Sequence, residues 1–379
     1  MKTLSDFNVK AKTILLREDI NCNVVKGKVI ESERIKEAAE TIKYLKKKKA
    51  KIVIIAHQGR PGQSDFVSLR QNAKFLNKYT KVKFIADVVG KRAVNEIKKL
   101  KPSEALLLEN LRFEPDEFKP EKAKENKIIK NLLPLIDIYV NDAFSNCHRN
   151  HASMILFSKY VNSCAGPLLE RELKALNKIR LGKALFILAG AKPEDNIKLL
   201  GKNKVLACGL FGQMCLISRG KNLGAQEKYL KKVIKDYNKV LRELKRKLKN
   251  VITPIDFAVK VNGKRKEIAL ENFPSRYEIF DIGVKSQKLF VNEIKKANSI
   301  YMKGPAGDFS SKGFEKGTFT ILRAIAKHKG FSLIGGGHLT DAIKSSKIPI
   351  KNFGYVSLSG GALLNYLAGG RLPGVEALR

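Results

Sequence analysis

Five short stretches in the first half of the chain, TILLRED (13–19), KIVIIA (51–56), KVKFI (81–85), EALLLEN (104–110) and IDIYVND (136–142), are close to unbroken in their apolar character. That is the pattern of strands buried on both faces, not of strands with one wet side. Between them the apolar residues recur at helical spacing, as Ile35, Ala38, Ile42 and Leu45 do in RIKEAAETIKYLKKK, and the segments LRQNAKFLNKY and KAKENKIIKNLL follow the same rule. Alternation of this kind predicts a mainly parallel sheet covered by helices on both faces. The segment AGPLLERELKALNKI (165–179) reads as a helix with no strand before it. A second series follows, ALFILAG, KVLACG, TPIDFAV, YEIFDIG, SIYMKGP and FSLIGGG, and predicts a second α/β domain. A length of 379 residues agrees, being beyond the size at which one core usually keeps growing.

Composition changes this picture little, but charge raises a question of partners. The formal charge is +38, from 74 Lys+Arg against 36 Asp+Glu. Nucleic acid is the first partner such a balance suggests. The lysines, however, fall on solvated helix faces such as RELKRKLK (242–249) and KKKK (46–49), with no zinc-finger spacing, basic arm or aromatic RNA-binding signature. No specific nucleic-acid partner is therefore expected, and part of the charge serves to steer anionic metabolites. The five cysteines show no Cys-x-x-Cys pair, which predicts reduced thiols. Cys147, His148 and His151 lack a fourth candidate ligand, so a metal site there is not expected. The start MKTLSDFNVKAKT has no apolar signal core, and the longest apolar run, near ALFILAGA (184–191), is too short for a bilayer. Cytoplasm, with no membrane partner, is the expectation.

In open parallel sheets ligands bind beyond the carboxyl ends of the strands. Asp19 and Asn21 follow the first predicted strand, His57, Gly59 and Arg60 the second, Arg112 a later one, and His148, Arg149 and His151 the run 136–142. Each residue alone is ordinary, since a lone loop arginine is usually solvated. Four strand ends carrying cations and hydrogen-bonding groups predict one site for a small ligand bearing phosphate and carboxylate, which guanidinium groups bind bidentately. The second half differs in kind, because its strand ends are rich in glycine: LAGAKPEDN (188–196), KGPAG (303–307), GGG (335–337) and SGGA (359–362). Such glycines let backbone N–H groups approach phosphate oxygens. Neither the Walker pattern nor G-x-G-x-x-G occurs. Lys192, two residues after Gly190, is the candidate cation for a transferring phosphoryl group.

These segments, in this order, resemble phosphoglycerate kinase over essentially the whole chain. LREDINCN resembles the family's R-x-D-x-N element, and HQGRP, LLLENLRF, VNDAFSNCHRNHAS, TPIDFAV, GFEKGT and the terminal LPGVEAL fall at the family's positions. HQG, TPIDFAV and GGGH resemble the archaeal branch in particular. The resemblance implies two Rossmann-like α/β domains with parallel sheets. Residues 1–164 with 362–379 would bind 3-phosphoglycerate, 180–361 would bind nucleotide, 165–179 would be the hinge helix, and the C-terminal tail would return to the first domain. It implies reversible transfer of the 1-phosphoryl group of 1,3-bisphosphoglycerate to ADP, giving 3-phosphoglycerate and ATP with Mg²⁺, by a monomer or alternatively a homodimer. Asp19, Asn21, Arg34, His57, Arg60, Arg112 and Arg149 match the family's 3-phosphoglycerate site, and His148 and His151 its surrounding basic patch. Lys192, with Arg34, would act on the transferring group. Gly190, Lys192, Lys303, Gly304, Gly307, Gly335, Gly336, Gly337 and His338 match the nucleotide loops, and the metal's protein ligand is left unassigned.

The chain departs from the family pattern at several of those loops. Asn196 stands where many relatives have a second lysine, and His338 where many have an aspartate. Lys303 and Ser310 replace the asparagine and glutamate of N-G-P-x-G-x-F-E, the glutamate being the group that bonds the ribose. Leu358 and Ser359 replace the threonine and first glycine of T-G-G-G-A. Two other readings therefore stand beside the kinase: a binding protein for phosphorylated metabolites on the same fold, and a nucleic-acid binder driven by charge.

Overall fold

A computed structural model of the chain describes residues 1–180, 182–190 and 192–379. The apolar runs of the first half become a six-stranded sheet of β1 (Thr13–Arg17), β2 (Lys51–Ile55), β3 (Lys83–Ile85), β4 (Ala105–Leu108), β5 (Ile138–Asn141) and β6 (Asn162–Ala165). Their order is β3-β4-β2-β1-β5-β6, and every neighbouring pair is parallel. Arg17 is in register with both Ile55 and Asn141, so β1, β2 and β5 deliver their following residues to one edge at one level. Strand β6 is absent from the sequence-level expectation. Its segment NSCA is short and edge-placed, and only Cys164 and Ala165 are buried, so it carries no apolar run to be read.

Helix α1 (Glu33–Lys47) buries Ile35, Ala38, Ala39, Ile42 and Leu45, a stripe at helical spacing that packs in one cluster with Ile14, Leu16, Ile52, Ile54 and Val140 of the strands. Glu33 in its first turn and Lys46 and Lys47 in its last oppose the helix dipole. Helix α2 (Pro167–Asn177) follows β6. Asp142, just past β5, accepts at 2.9 Å from the Leu169 backbone N–H in the first turn of α2, and at 2.6 Å from the hydroxyl of Thr41 on α1.

The second half forms a second six-stranded parallel sheet from β7 (Leu185–Leu188), β8 (Lys204–Ala207), β9 (Val251–Ile252), β13 (Ser299–Lys303), β14 (Phe331–Gly335) and β15 (Tyr355–Ser357), ordered β9-β8-β7-β13-β14-β15. TPIDFAV and YEIFDIG do not join it, contrary to expectation. They supply β10 (Asp256–Val261) and β12 (Ile279–Ile282), which pair antiparallel with each other and, through β10, with β11 (Lys264–Ala269). The cause is local: Asn262 and Gly263 both take positive φ, 47° and 75°, which sets a tight hairpin turn. Strand β11, KRKEIA, has no buried residue, so its apolar pattern is silent.

By contacts the chain divides into two compact units, Met1–Leu173 with Gly369–Arg379 and Lys174–Ala368. The division falls inside α2. The returning tail is shorter than expected: residues 362–368 belong to the second unit, where Ala362, Leu363, Leu364 and Leu367 are buried. What does join the first unit docks on the His148 loop, with the Gly374 N–H donating to the Cys147 carbonyl at 2.9 Å and the Asn141 side chain donating to the Gly374 carbonyl at 3.2 Å. All five cysteines are buried free thiols. Among the described residues no helix is long and apolar enough to cross a membrane.

Candidate functional site

At the carboxyl edge of the first sheet the expected residues converge. Asp19, at the end of β1, receives Arg34 from α1 at 2.7 Å, the Asn21 backbone N–H at 3.1 Å and the hydroxyl of Ser145. Asn21 accepts from the Gly59 N–H at 2.9 Å, so the loops after β1 and β2 are tied together. Gln58 reinforces that tie by bonding both the N–H and the carbonyl of Cys22, each at 2.9 Å, while Asn110 reaches the Gln58 carbonyl at 2.8 Å from the end of β4. Gly59 is required where it is: at φ +67° a Cβ would lie 2.1 Å from the Asp65 carbonyl oxygen. The Gly59 carbonyl in turn accepts from Arg112.

The electrostatics are those of cations gathered without enough anions. His57 is buried, and its pKa is held well below the usual histidine value by burial and then by the guanidinium groups of Arg17, Arg112, Arg149 and Arg34. Arg112 is lowered to about 10 by burial and by Arg149. Arg149 is lowered by burial and by Arg60. Nε of Arg112 and Nε of Arg149 are buried with no hydrogen-bond partner among the described residues. An anion with several oxygens satisfies these donors and relieves the mutual repulsion. One expectation is altered: His148 is lowered to about 4 by burial and by Arg149, so it is neutral at pH 7 and acts as a polar group, not as a fixed positive charge. His151 lies 3.5 Å from Glu117, a wholly buried carboxylate.

Besides Gln58 and Asn110, sequence reasoning passed over four more residues that build this edge. Arg17 donates to Ser153 at 3.1 Å, to the Glu18 carbonyl and to Nδ1 of His57 at 3.1 Å. Glu117 accepts from both the hydroxyl (2.7 Å) and the N–H (2.9 Å) of Ser153. The fourth, Ser145, bonds Asp19. The signal for Arg17 was present, since a lone arginine in the otherwise apolar run TILLR demands a buried partner. Nothing in the sequence marked Glu117 or Ser153.

In the second unit the glycine-rich strand ends come close. Gly304, at φ +80°, has no room for a Cβ, which would sit 2.6 Å from the Ala189 carbonyl oxygen. Gly190 and Gly209 also have positive φ, 90° and 56°, and lie in the same contact. Beside them is a cavity of about 330 Å³ whose lining includes Gly190, Gly209, Phe280, Gly307, Asp308 and His338. Lys192 is the N-cap of the short helix α3 (Pro193–Ile197). Lys303, at the end of β13, turns toward that helix and donates to Asn196 at 3.0 Å, with Asp195 at 3.5 Å. Burial lowers the Lys303 pKa, opposed by Asp195 and assisted by Lys192. Gly335 ends β14, Gly336 has φ +104°, and Gly337 and His338 open the helix Gly337–Ser346. Ser310 donates to Asp308, a lining carboxylate that the sequence reading missed. Ala191, within the LAGAKPEDN motif, lies outside the described residues. Among the described residues no three His, Cys, Asp or Glu side chains group as a metal site.

A sequence profile of the phosphoglycerate kinase family matches residues 4–370. The chain is 36% identical over 397 residues to phosphoglycerate kinase of Methanopyrus kandleri, covering 100% of this chain and 97% of that protein. It is 37% identical over 405 residues to the Thermococcus sibiricus enzyme of that name, with 100% and 97% covered. Among solved structures, phosphoglycerate kinase from Pyrococcus horikoshii OT3 superimposes with a TM-score of 0.87 at 33% identity, covering 100% of this chain and 98% of the other.

Proposed function

The chain belongs to the phosphoglycerate kinase family, and from that premise we propose how its residues carry out the family's reaction, reversible phosphoryl transfer between 1,3-bisphosphoglycerate and ADP giving 3-phosphoglycerate and ATP. The observation that carries the assignment is the gathering of Arg34, Arg112, Arg149 and His57 around Asp19 and Asn21 at one sheet edge. With Arg60, they form the site for 3-phosphoglycerate. The unpartnered Nε donors of Arg112 and Arg149 face the 3-phosphate, and Asp19 and Asn21 accept from the substrate's hydroxyl.

The nucleotide is held in the second unit, its purine and ribose in the 330 Å³ cavity and its phosphates against Gly190, Gly304, Gly307 and Gly335–Gly337. Asp308 takes over the ribose contact that Ser310 is unable to make as a carboxylate would. Lys192 and Lys303 neutralise the phosphoryl oxygens. With no cluster of three His, Cys, Asp or Glu side chains among the described residues to hold it, Mg²⁺ would be carried chiefly by the nucleotide and would supply charge neutralisation beside Lys192 and Lys303. The acyl phosphate is already activated and the acceptor is already an anion, so the protein needs little acid–base chemistry and acts by positioning and charge neutralisation. Substrates held on separate units must meet for in-line transfer, which makes hinge bending part of the proposal.

The test is turnover of 3-phosphoglycerate with Mg-ATP, coupled to reduction of the product. Arg60→Ala and Arg149→Ala are expected to raise KM for 3-phosphoglycerate by about one to two orders of magnitude, as loss of a charge-assisted contact does. Absence of turnover in the intact protein would overturn the kinase and leave the two binding readings, of phosphorylated metabolites or of nucleic acid.

A further inference from the structure

Arg17 is the bulkiest of the wholly buried side chains among the described residues, at 1% exposure, and it takes no direct part in the steps above. Its surroundings form one connected line. Glu117 accepts two hydrogen bonds from Ser153, Ser153 Oγ accepts from Arg17 Nε, and Arg17 Nη2 lies 3.1 Å from His57 Nδ1. The Ser153 carbonyl is itself fixed by the hydroxyl of Tyr139 at 2.7 Å. A guanidinium has five N–H donors and no acceptor. The ring nitrogen facing it must therefore offer a lone pair, which leaves the imidazole proton on Nε2.

We propose that Arg17 is a positioning residue which, anchored by Ser153 and Glu117, fixes His57 as the neutral Nε2–H tautomer and so as an uncharged hydrogen-bond donor to the substrate's phosphate. The benefit is specific to a crowded cationic edge. Arg17 from β1, Arg34 from α1, Arg112 beyond β4 and Arg149 beyond β5 all bear on His57. A fifth charge there would add repulsion in the ligand-free protein, whereas a neutral N–H adds a donor without it. The fixed tautomer also keeps that donor from being lost to the competing Nδ1–H form. Glu117 balances the buried guanidinium from the far side of Ser153, and its other neighbour is His151, at 3.5 Å. The substrate part of this inference rests on the function proposed above; the tautomer does not.

The two parts are separable by experiment. The chain has only five histidines, so long-range proton–nitrogen NMR of the ¹⁵N-histidine-labelled, ligand-free protein, assigned with His57→Gln, reads each ring directly. The expected spectrum has His57 Nε2 protonated and Nδ1 bare, unchanged between about pH 5.5 and pH 8, where an ordinary histidine titrates. A protonated Nδ1 or an imidazolium at pH 7 in the wild-type protein overturns the proposal. Arg17→Met is expected to give mixed tautomers or renewed titration and to raise KM for 3-phosphoglycerate about tenfold with kcat changed by less than about twofold. Arg17→Lys, which keeps a donor for Nδ1, is expected to retain the wild-type tautomer. Should Arg17→Met fail to fold, the wild-type spectrum decides the tautomer, and Ser153→Ala decides the anchor by raising KM about threefold; an unchanged KM in that folded variant overturns the anchor. If the tautomer is as stated but His57→Gln binds 3-phosphoglycerate normally, the substrate-site assignment fails and the relay stands.

Discussion

Glu18 sits between two site residues in LREDI, is 0% exposed, and neither carboxyl oxygen finds a hydrogen-bond partner among the described residues. Burial pushes its pKa well above the ordinary 4.5, and the neighbouring carboxylates Asp142 and Asp19 push it further, against a smaller opposing effect of Arg17. Asp142 is raised too, by its own burial, though the bonds from Thr41 and the start of α2 resist this. Folding therefore favours the protonated form of Glu18, which the unfolded chain ionises above about pH 4.5. The sign follows: its contribution is intact below pH 4.5 and is lost as pH rises toward the folded-state pKa. Each pH unit over which the folded carboxyl stays protonated while the unfolded one is ionised costs about 1.4 kcal/mol. Glu18→Gln keeps the shape and removes the titration. Thermal unfolding of the two proteins, followed from pH 4.5 to pH 8, should show similar midpoints at the acid end. The variant should pull ahead as pH rises through that window, by about 2–4 °C for each kcal/mol the wild type loses, for a unit of this size. Parallel pH curves for the two proteins would refute the claim that folding favours the protonated Glu18.

Lys192→Ala should lower kcat by about a hundred- to a thousandfold with little change in either KM, as expected for a cation that acts on the transferring group. Retained turnover removes that role. Lys303→Asn should lower kcat by about tenfold, and adding Asn196→Lys should recover most of it, because the two side chains touch at 3.0 Å and an ammonium mounted on either reaches the same place. A double variant no better than the single one would mean that Lys303 serves only as a partner for Asp195. Gly59→Ala should destabilise the first unit by roughly 2–4 kcal/mol in denaturant unfolding, through left-handed strain plus the clash with Asp65. The same change should raise KM for 3-phosphoglycerate by loosening Arg112; wild-type stability would show that the loop relaxes freely.

What the sequence determines by itself here is whatever is periodic or local. Unbroken apolar runs and helical stripes specify the two parallel sheets, and strand-end position specifies Asp19, Asn21, His57, Arg60, Arg112 and Arg149, because a parallel sheet sends all its carboxyl ends to one edge. The same logic misses whatever has no apolar run of its own. Strand β6 is edge-placed, β11 has no buried residue, and the turn at Asn262–Gly263 redirects TPIDFAV into an antiparallel hairpin. Tertiary structure alone decides what Arg17, the last residue of β1, and Glu18, the residue after it, meet. Successive residues point to opposite sides, so Arg17 meets His57 and Ser153 while Glu18 comes under the influence of Asp142. Those partners lie 40 and 136 residues away along the chain for Arg17. Charge state is decided there as well: His148 looks basic in the sequence, yet burial beside Arg149 makes it neutral, since a buried group's proton affinity depends on neighbours that only the fold brings near.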